Sequence, residues 1–134
     1  MGRQKVVTLV NDKRPVNLDI KTIQLPITSY VSILHRVSGV ALFVITGLFL
    51  WMLDTSLASE ESFKALQEFL SSPFCTLILW GMLAALIYHL VAGIRHFIMD
   101  MGLGETLEGG IFGARMVIVI SAILIALTGA WLWL

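Results

Sequence analysis

A histidine lies in the middle of a long apolar run, on a line of small residues. The run extends over residues 74–97 and contains His89. Residues four apart share one face of a helix. The small residues on the histidine's line are Gly81, Ala85 and Gly93. Such a line leaves room for a flat ring against the helix, with the imidazole as a metal ligand. Ionisable residues inside a membrane-length helix are costly and are functional candidates by default.

The same line has a structural interpretation. Small residues at a spacing of four let two membrane helices approach closely. His89 would then hydrogen-bond the neighbouring helix instead of a metal. On this helix alone, both interpretations stay open.

A second group of polar side chains opens the first apolar run, where Ser32, His35, Arg36 and Ser38 stand in an apolar frame. Ser32 and Arg36 are four apart and share a face. A hydroxyl and a guanidinium aimed at one spot can hydrogen-bond a carbonyl or an anion. The alternative is that Arg36 extends to lipid phosphate. The neighbouring Ser32 and His35 favour a binding site.

If the flat ring against His89 is a haem, His35 and His96 are the other histidines that could bind its iron. His96 lies seven residues away on the same helix face, so it cannot approach one iron from the opposite side. We interpret His96 as an interfacial side chain bonded to a headgroup or a propionate. His35 lies about one turn into its helix and His89 two to three turns from the same membrane side. At ~5.4 Å per turn these depths disagree, so a second axial ligand is expected from another chain.

Composition places the chain among integral membrane proteins. It has 134 residues, of which 57% are hydrophobic and 13% charged, and its mean hydropathy is +0.89. A soluble domain of this size cannot bury so much apolar surface. The zero net charge suggests no nucleic-acid partner. The lone Cys75 excludes an internal disulfide, and without a Cys-x-x-Cys-His motif any haem is non-covalent.

Three runs are long enough to cross a bilayer, since a span needs about 20 residues. The sequence predicts an all-α membrane protein with one domain over residues 1–134, a tail at 1–31 and spans at about 32–53, 74–97 and 114–134. A short amphipathic helix over 59–70, lying at the interface, is predicted between the first two spans. Ser72 and Pro73 are suited to begin the second span. The glycine-rich stretch before the third span is predicted to be a turn region.

Lysine and arginine counts predict the orientation, because cytoplasmic segments are enriched in both. The tail and the connection between the second and third spans are the basic segments, whereas the first connection carries mainly acidic residues. The basic residues of these two segments and their flanks are Arg3, Lys5, Lys13, Arg14, Lys21, Arg95 and Arg115. The N-terminus is therefore expected in the cytoplasm and the C-terminus in the periplasm. The absence of a transit-peptide pattern favours a bacterial inner membrane.

Two motifs carry a family resemblance. The first is SILHRVS at 32–38, preceded by Arg14 and Pro15, and the second is HLVAGIRHFIMD at 89–100. At the ends of the first and second spans, they resemble the signatures of the cytochrome b anchor subunit of succinate dehydrogenase. The similarity extends over nearly the whole chain, including the basic tail and the order of the spans.

The resemblance implies a subunit of respiratory complex II that links the tricarboxylic acid cycle to electron transport. Such a chain pairs with a second small three-span subunit, shares one haem b with it, and anchors a flavoprotein and an iron–sulfur protein. His89 matches the family's haem ligand, with the opposite ligand supplied by the partner. Ser32 and Arg36 match residues of the ubiquinone site, and His35, Arg36 and His96 lie in the vicinity of the haem propionates. The chain itself would not be catalytic.

Three other functions remain open at this point. A fumarate reductase-type anchor is the close relative. A stand-alone membrane cytochrome b would need histidines at matching depths within the chain or in a homodimer. A structural or transport subunit without redox function would use the polar groups for assembly.

Overall fold

A computed structural model describes residues 22–134, and over these residues the only regular secondary structure is helical. The helices are α1 (Ile27–Ala58), α2 (Glu60–Leu70), α3 (Pro73–Asp100) and α4 (Leu107–Trp133). Helices α1, α3 and α4 are long and apolar enough to cross a membrane. The predicted all-α fold with three spans and a short helix between the first two is confirmed. Residues 1–21, most of the predicted tail, lie outside the described residues.

Two spanning helices begin earlier than predicted. Helix α1 begins at Ile27, directly after Pro26, and α4 begins at Leu107. The Oγ1 atom of Thr106 accepts a hydrogen bond from the Gly109 amide and caps α4. The turn before α4 is made at Gly102 and Gly104, whose φ angles of 82° and 77° favour glycine.

The start of α3 and the whole of α2 agree with the sequence prediction. Ser72 accepts from the Cys75 amide and Pro73 is the first residue of α3. Helix α2 begins after Ser59, which exchanges hydrogen bonds with Ser62 in a capping box. Leu66 is the buried residue of α2. The helix packs against α1 and α3, and its position at a membrane surface stays a prediction.

Helix α3 packs against both other spanning helices. Its fully buried Ala92 meets Val31 of α1 and Ala114 of α4 in a small core. This core lies at the end of the bundle near the connection between α3 and α4. Small side chains at this point let the three helices approach closely. The Tyr88 hydroxyl donates to the Val31 carbonyl at 2.9 Å and links α3 to α1.

Two side chains of α3 bond the backbone of α4, one near each end. The Trp80 indole N–H donates to the Ile125 carbonyl at 2.9 Å, and the ring lies against Gly129, where a Cβ would come within 3.0 Å of the indole nitrogen. Near the other end, Arg95 donates from Nη2 to the Gly110 carbonyl at 3.1 Å. These two contacts fix the position of α4 along α3.

Candidate functional site

The His89 imidazole is held by the backbone of α1. Its Nδ1 atom lies 3.1 Å from the His35 carbonyl oxygen and 3.1 Å from the Ser38 hydroxyl. The Ser38 hydroxyl in turn donates to the same carbonyl at 2.8 Å. A carbonyl only accepts hydrogen bonds, so the tautomer with the proton on Nδ1 satisfies both contacts.

This arrangement leaves the other ring nitrogen of His89 as a lone-pair donor. No residue of the described part of the chain hydrogen-bonds Nε2. Metal-bound histidines characteristically donate the non-ligating N–H to a carbonyl or carboxylate, which fixes the ring and its tautomer. In this tautomer Nε2 has the lone pair that a metal ligand needs.

Gly39 of α1 makes room for the His89 ring. A Cβ at position 39 would lie 3.0 Å from His89 Cε1, so that the ring would have to shift to accommodate it. The sequence analysis missed Gly39. The sequence feature that could have indicated Gly39 is its position about one helical turn after His35 in α1.

The line of small residues on α3 is not one continuous helix contact. A Cβ at Gly93 would lie 3.5 Å from His35 Nε2, whereas a Cβ at Gly81 would meet nothing within 4 Å. The structural interpretation of His89, a hydrogen bond to the neighbouring helix, is observed at Nδ1. This bond does not compete with metal ligation, because the two use different ring nitrogens.

The predicted mismatch in depth between His35 and His89 is wrong. Their rings are stacked, with centroids 4.2 Å apart and planes 17° apart. The cause is the early start of α1 at Ile27, which places His35 more than two turns into its helix. Two rings lying face to face cannot also approach one iron from opposite sides, so His35 is not the second axial partner of His89.

His96 continues the row of imidazoles. Its ring lies 4.9 Å from that of His35, at an angle of 41°. His35 therefore lies between the other two histidines, and its Nε2 is buried without a hydrogen-bond partner among the described residues.

A polar pocket of about 440 Å³ lies between the adjoining ends of α1 and α3. It brings together Ser32, Arg36 and His96. Three further polar residues, which the sequence analysis had not assigned to a site, line it as well. The complete lining is Leu25, Thr28, Ser29, Ser32, Ile33, Arg36, Arg95, His96 and Met99. No acidic side chain is among them.

A second cavity of about 540 Å³ runs between α3 and α4 and is almost entirely apolar. Arg95 and Met99 line both cavities. The apolar walls of this groove reach Leu90 on α3 and Leu124 on α4. One end of the groove therefore lies beside the polar pocket and the other near the middle of the spans.

These features define a multi-pass membrane protein, with an imidazole fixed inside its helices and a cationic pocket at one end of the bundle. The profile of the "Succinate dehydrogenase/Fumarate reductase transmembrane subunit" family matches residues 10–128. The chain belongs to this family, and the similarities below identify it as a cytochrome b membrane-anchor subunit of the succinate dehydrogenase type.

The relatives agree over most of their lengths. The chain is 42% identical over 125 residues to the succinate dehydrogenase cytochrome b556 subunit of Coxiella burnetii, covering 92% of this chain and 100% of the relative. It is 32% identical over 115 residues to the b556 subunit of Paracoccus denitrificans, covering 86% and 88%. The b560 subunit of Porphyra purpurea is 31% identical over 94 residues, covering 69% and 75%.

Proposed function

We propose that this chain holds haem b through His89 and forms part of a quinone-reduction pocket with Ser32 and Arg36, as an anchor subunit of succinate:quinone oxidoreductase. The observation that carries the proposal is the contact between His89 Nδ1 and the His35 carbonyl of α1 at 3.1 Å, which suits the tautomer with Nε2 as the lone-pair donor. The names of the b556 relatives support a haem of the b type.

The residues around His89 fit such a group. Small residues on the same face of α3 leave space along the helix, and a Cβ at Gly81 would meet no atom within 4 Å. When bound, the haem supplies a one-electron carrier whose potential depends on its axial ligands and burial. His89 provides one axial ligand and its Nδ1 contact orients the ring. The opposite ligand comes from a partner chain, since His35 stacks on His89 and His96 lies on the same helix as His89.

The polar pocket suits a quinone head group. Reduction to the quinol adds two electrons and two protons, so negative charge develops on the carbonyl oxygens. Preorganised donors aimed at developing charge are the usual means of lowering such a barrier. Arg36 provides a permanent positive charge and Ser32 a hydroxyl on the same wall. His96 lines the pocket and His35 lies between His96 and His89, in the expected vicinity of the propionates.

The electrons come from succinate, oxidised by partner subunits, so the chain is not an enzyme on its own. The partners are a flavoprotein, an iron–sulfur protein and a second three-span anchor. The acceptor is ubiquinone, and the complex serves both the tricarboxylic acid cycle and the respiratory chain. The location is a bacterial inner membrane, and the lysine and arginine distribution supports an N-terminus in the cytoplasm. The relatives named above support the succinate dehydrogenase over the fumarate reductase type.

The haem assignment is tested by His89→Leu in the assembled complex. We expect the low-spin b-type spectrum to be lost or changed to that of a five-coordinate haem. His96→Leu, one of the two other histidines, is the control and should keep a low-spin spectrum. An unaltered spectrum in assembled His89→Leu would refute the assignment.

The quinone assignment is tested by Arg36→Leu. Succinate oxidation with a dye that accepts electrons before the quinone should continue at the normal rate. Ubiquinone-linked turnover should fall by about tenfold or more, because charge-assisted hydrogen bonds are roughly twice as strong as neutral ones. Normal ubiquinone reduction would show that Arg36 only contacts lipid.

A further inference from the structure

Arg95 has an unusual environment for a cation in a membrane helix. Its guanidinium lies over the first turns of α4, where a Cβ at Gly113 would come within 3.1 Å of Nε. The Gly110 carbonyl, bonded to Nη2, is its acceptor, and Nε is buried without a partner among the described residues. A guanidinium has five N–H donors, so most of this donor capacity is unused.

Arg95 also forms no ion pair with another residue of the range 22–134. The ion pair found within residues 22–134 joins Lys64 to Glu60 on the exposed face of α2, far along the chain from the pocket. Arg36 and Arg95 line the same polar pocket, and no acidic residue lines it with them. Charged side chains within membrane segments are usually paired or face a ligand or water-filled cavity. Two arginines and no carboxylate line this pocket within residues 22–134, which favours an occupant that carries negative charge.

We propose that Arg95 is a second cationic ligand-binding residue of the polar pocket and that it binds an oxyanion together with Arg36. The inference rests on the proposed function, which supplies two sources of an oxyanion. One is the oxygen of a quinone that has accepted an electron, and the other is a haem propionate. Arg95 lines the polar pocket and also contacts α4, where Gly113 leaves room for its guanidinium.

Three variants of the complete complex test the role of Arg95. Arg95→Leu removes the charge, and Arg95→Lys keeps it without the planar donor geometry. Gly113→Ala keeps the arginine but adds a methyl group 3.1 Å from Nε, so that the guanidinium must move. Gly47→Ala in α1 is the control for a glycine-to-alanine change, because its methyl group meets nothing within 4 Å.

The measurements distinguish the two oxyanions. If the occupant is the quinone, Arg95→Leu raises the KM for ubiquinone by about tenfold and diminishes the EPR signal of one-electron-reduced quinone in a redox titration. If it is the propionate, Arg95→Leu lowers the haem midpoint potential and leaves the quinone signal unchanged, because oxidised haem carries one more positive charge. In either case the affected quantity in Arg95→Lys should lie between those of the wild type and Arg95→Leu. Gly113→Ala should change it in the same direction but less.

The inference is overturned if an assembled Arg95→Leu complex keeps both the quinone signal and the haem potential. If Arg95→Leu does not assemble, Gly113→Ala decides, and values equal to those of Gly47→Ala overturn it. Arg36→Leu measured in parallel separates this inference from the proposed function. Loss in Arg36→Leu with none in Arg95→Leu rejects the role of Arg95 alone, whereas no loss in Arg36→Leu rejects the quinone pocket itself.

Discussion

The imidazole rings of His35 and His89 lie face to face, and the Nδ1 atom of His89 also contacts the backbone oxygen of His35, 3.1 Å away. The two residues are 54 positions apart and belong to different helices. Side chain and main chain of His35 therefore act separately on His89. The ring covers one face of the imidazole, while the carbonyl fixes its tautomer.

This separation predicts the effect of removing the His35 ring. In His35→Ala the backbone carbonyl remains, so His89 should keep its Nδ1 hydrogen bond and its ability to ligate through Nε2. We expect the assembled complex to retain a low-spin b-type spectrum, with a changed haem midpoint potential. Optical spectra and a redox titration measure both. Loss of the low-spin spectrum in His35→Ala, equal to that of His89→Leu, would show that stacking holds the ligand.

The depth of the polar residues illustrates what the sequence leaves undetermined. Hydropathy was sufficient for the three spans, whereas His89, Ser32 and Arg36 stay predictions that rest on their spacing and on the family resemblance. The relative depth of His35 and His89 depends on where α1 begins. The apolar run alone predicts that the span begins at residue 32, which is too late. Helix α1 begins at Ile27 and includes Thr28 and Ser29. Because these two side chains are polar, the hydropathy pattern does not predict the first turn of the helix.

The close approach of His89 to α1 gives a second prediction, centred on Gly39. In Gly39→Ala the added methyl group would lie 3.0 Å from His89 Cε1, so the ring must tilt or the helices must separate. Either movement weakens the Nδ1 contact. We expect a lower haem content or a shifted low-spin spectrum in the purified complex.

Gly47→Ala is the matched control on the same helix, since its methyl group meets no atom within 4 Å. It should leave haem content and spectrum as in the wild type. Equal haem content and spectra in Gly39→Ala and Gly47→Ala would contradict the importance of this contact.

The glycines before the third span show a different limit of sequence reading. The sequence predicts a turn region at Gly109, Gly110 and Gly113, because glycine interrupts helices. In the structure all three are helical, and Thr106 caps the helix ahead of them. Gly113 leaves room for the Arg95 side chain of α3 and the Gly110 carbonyl accepts its hydrogen bond, whereas a Cβ at Gly109 would meet the turn at Gly104 and Thr106. A single sequence contains no direct information on such a contact between helices.

The Trp80 contact predicts a role in stability. Trp80→Phe keeps an aromatic ring but removes the indole N–H that bonds the Ile125 carbonyl at 2.9 Å. The loss should destabilise the complex by ~0.5–1.5 kcal/mol, the net value of a typical hydrogen bond. Thermal inactivation of the detergent-solubilised complex measures it. Trp131→Phe is the control because that ring is 78% exposed in this chain, and an equal change in both variants would argue against a specific role of the Trp80 bond.

The last prediction concerns whether Ser32 and Arg36 act on one group of the quinone. Ser32→Ala should reduce kcat/KM for ubiquinone modestly, since one neutral hydrogen bond is worth ~0.5–1.5 kcal/mol net. Arg36→Leu should reduce it more. If both side chains bind the same carbonyl oxygen, their effects are coupled, because removal of the guanidinium shifts the oxygen away from the hydroxyl.

A double-mutant cycle measures this coupling. Residues that share a partner typically show interaction energies of ~0.5–3 kcal/mol, whereas independent sites add within ~0.5 kcal/mol. We expect the double variant to lose less activity than the sum of the two single losses, expressed as free energies. Succinate oxidation with the upstream dye serves as the control for assembly in all three variants. Strict additivity would mean that Ser32 and Arg36, although they share one wall of the pocket, bind separate parts of the quinone head group.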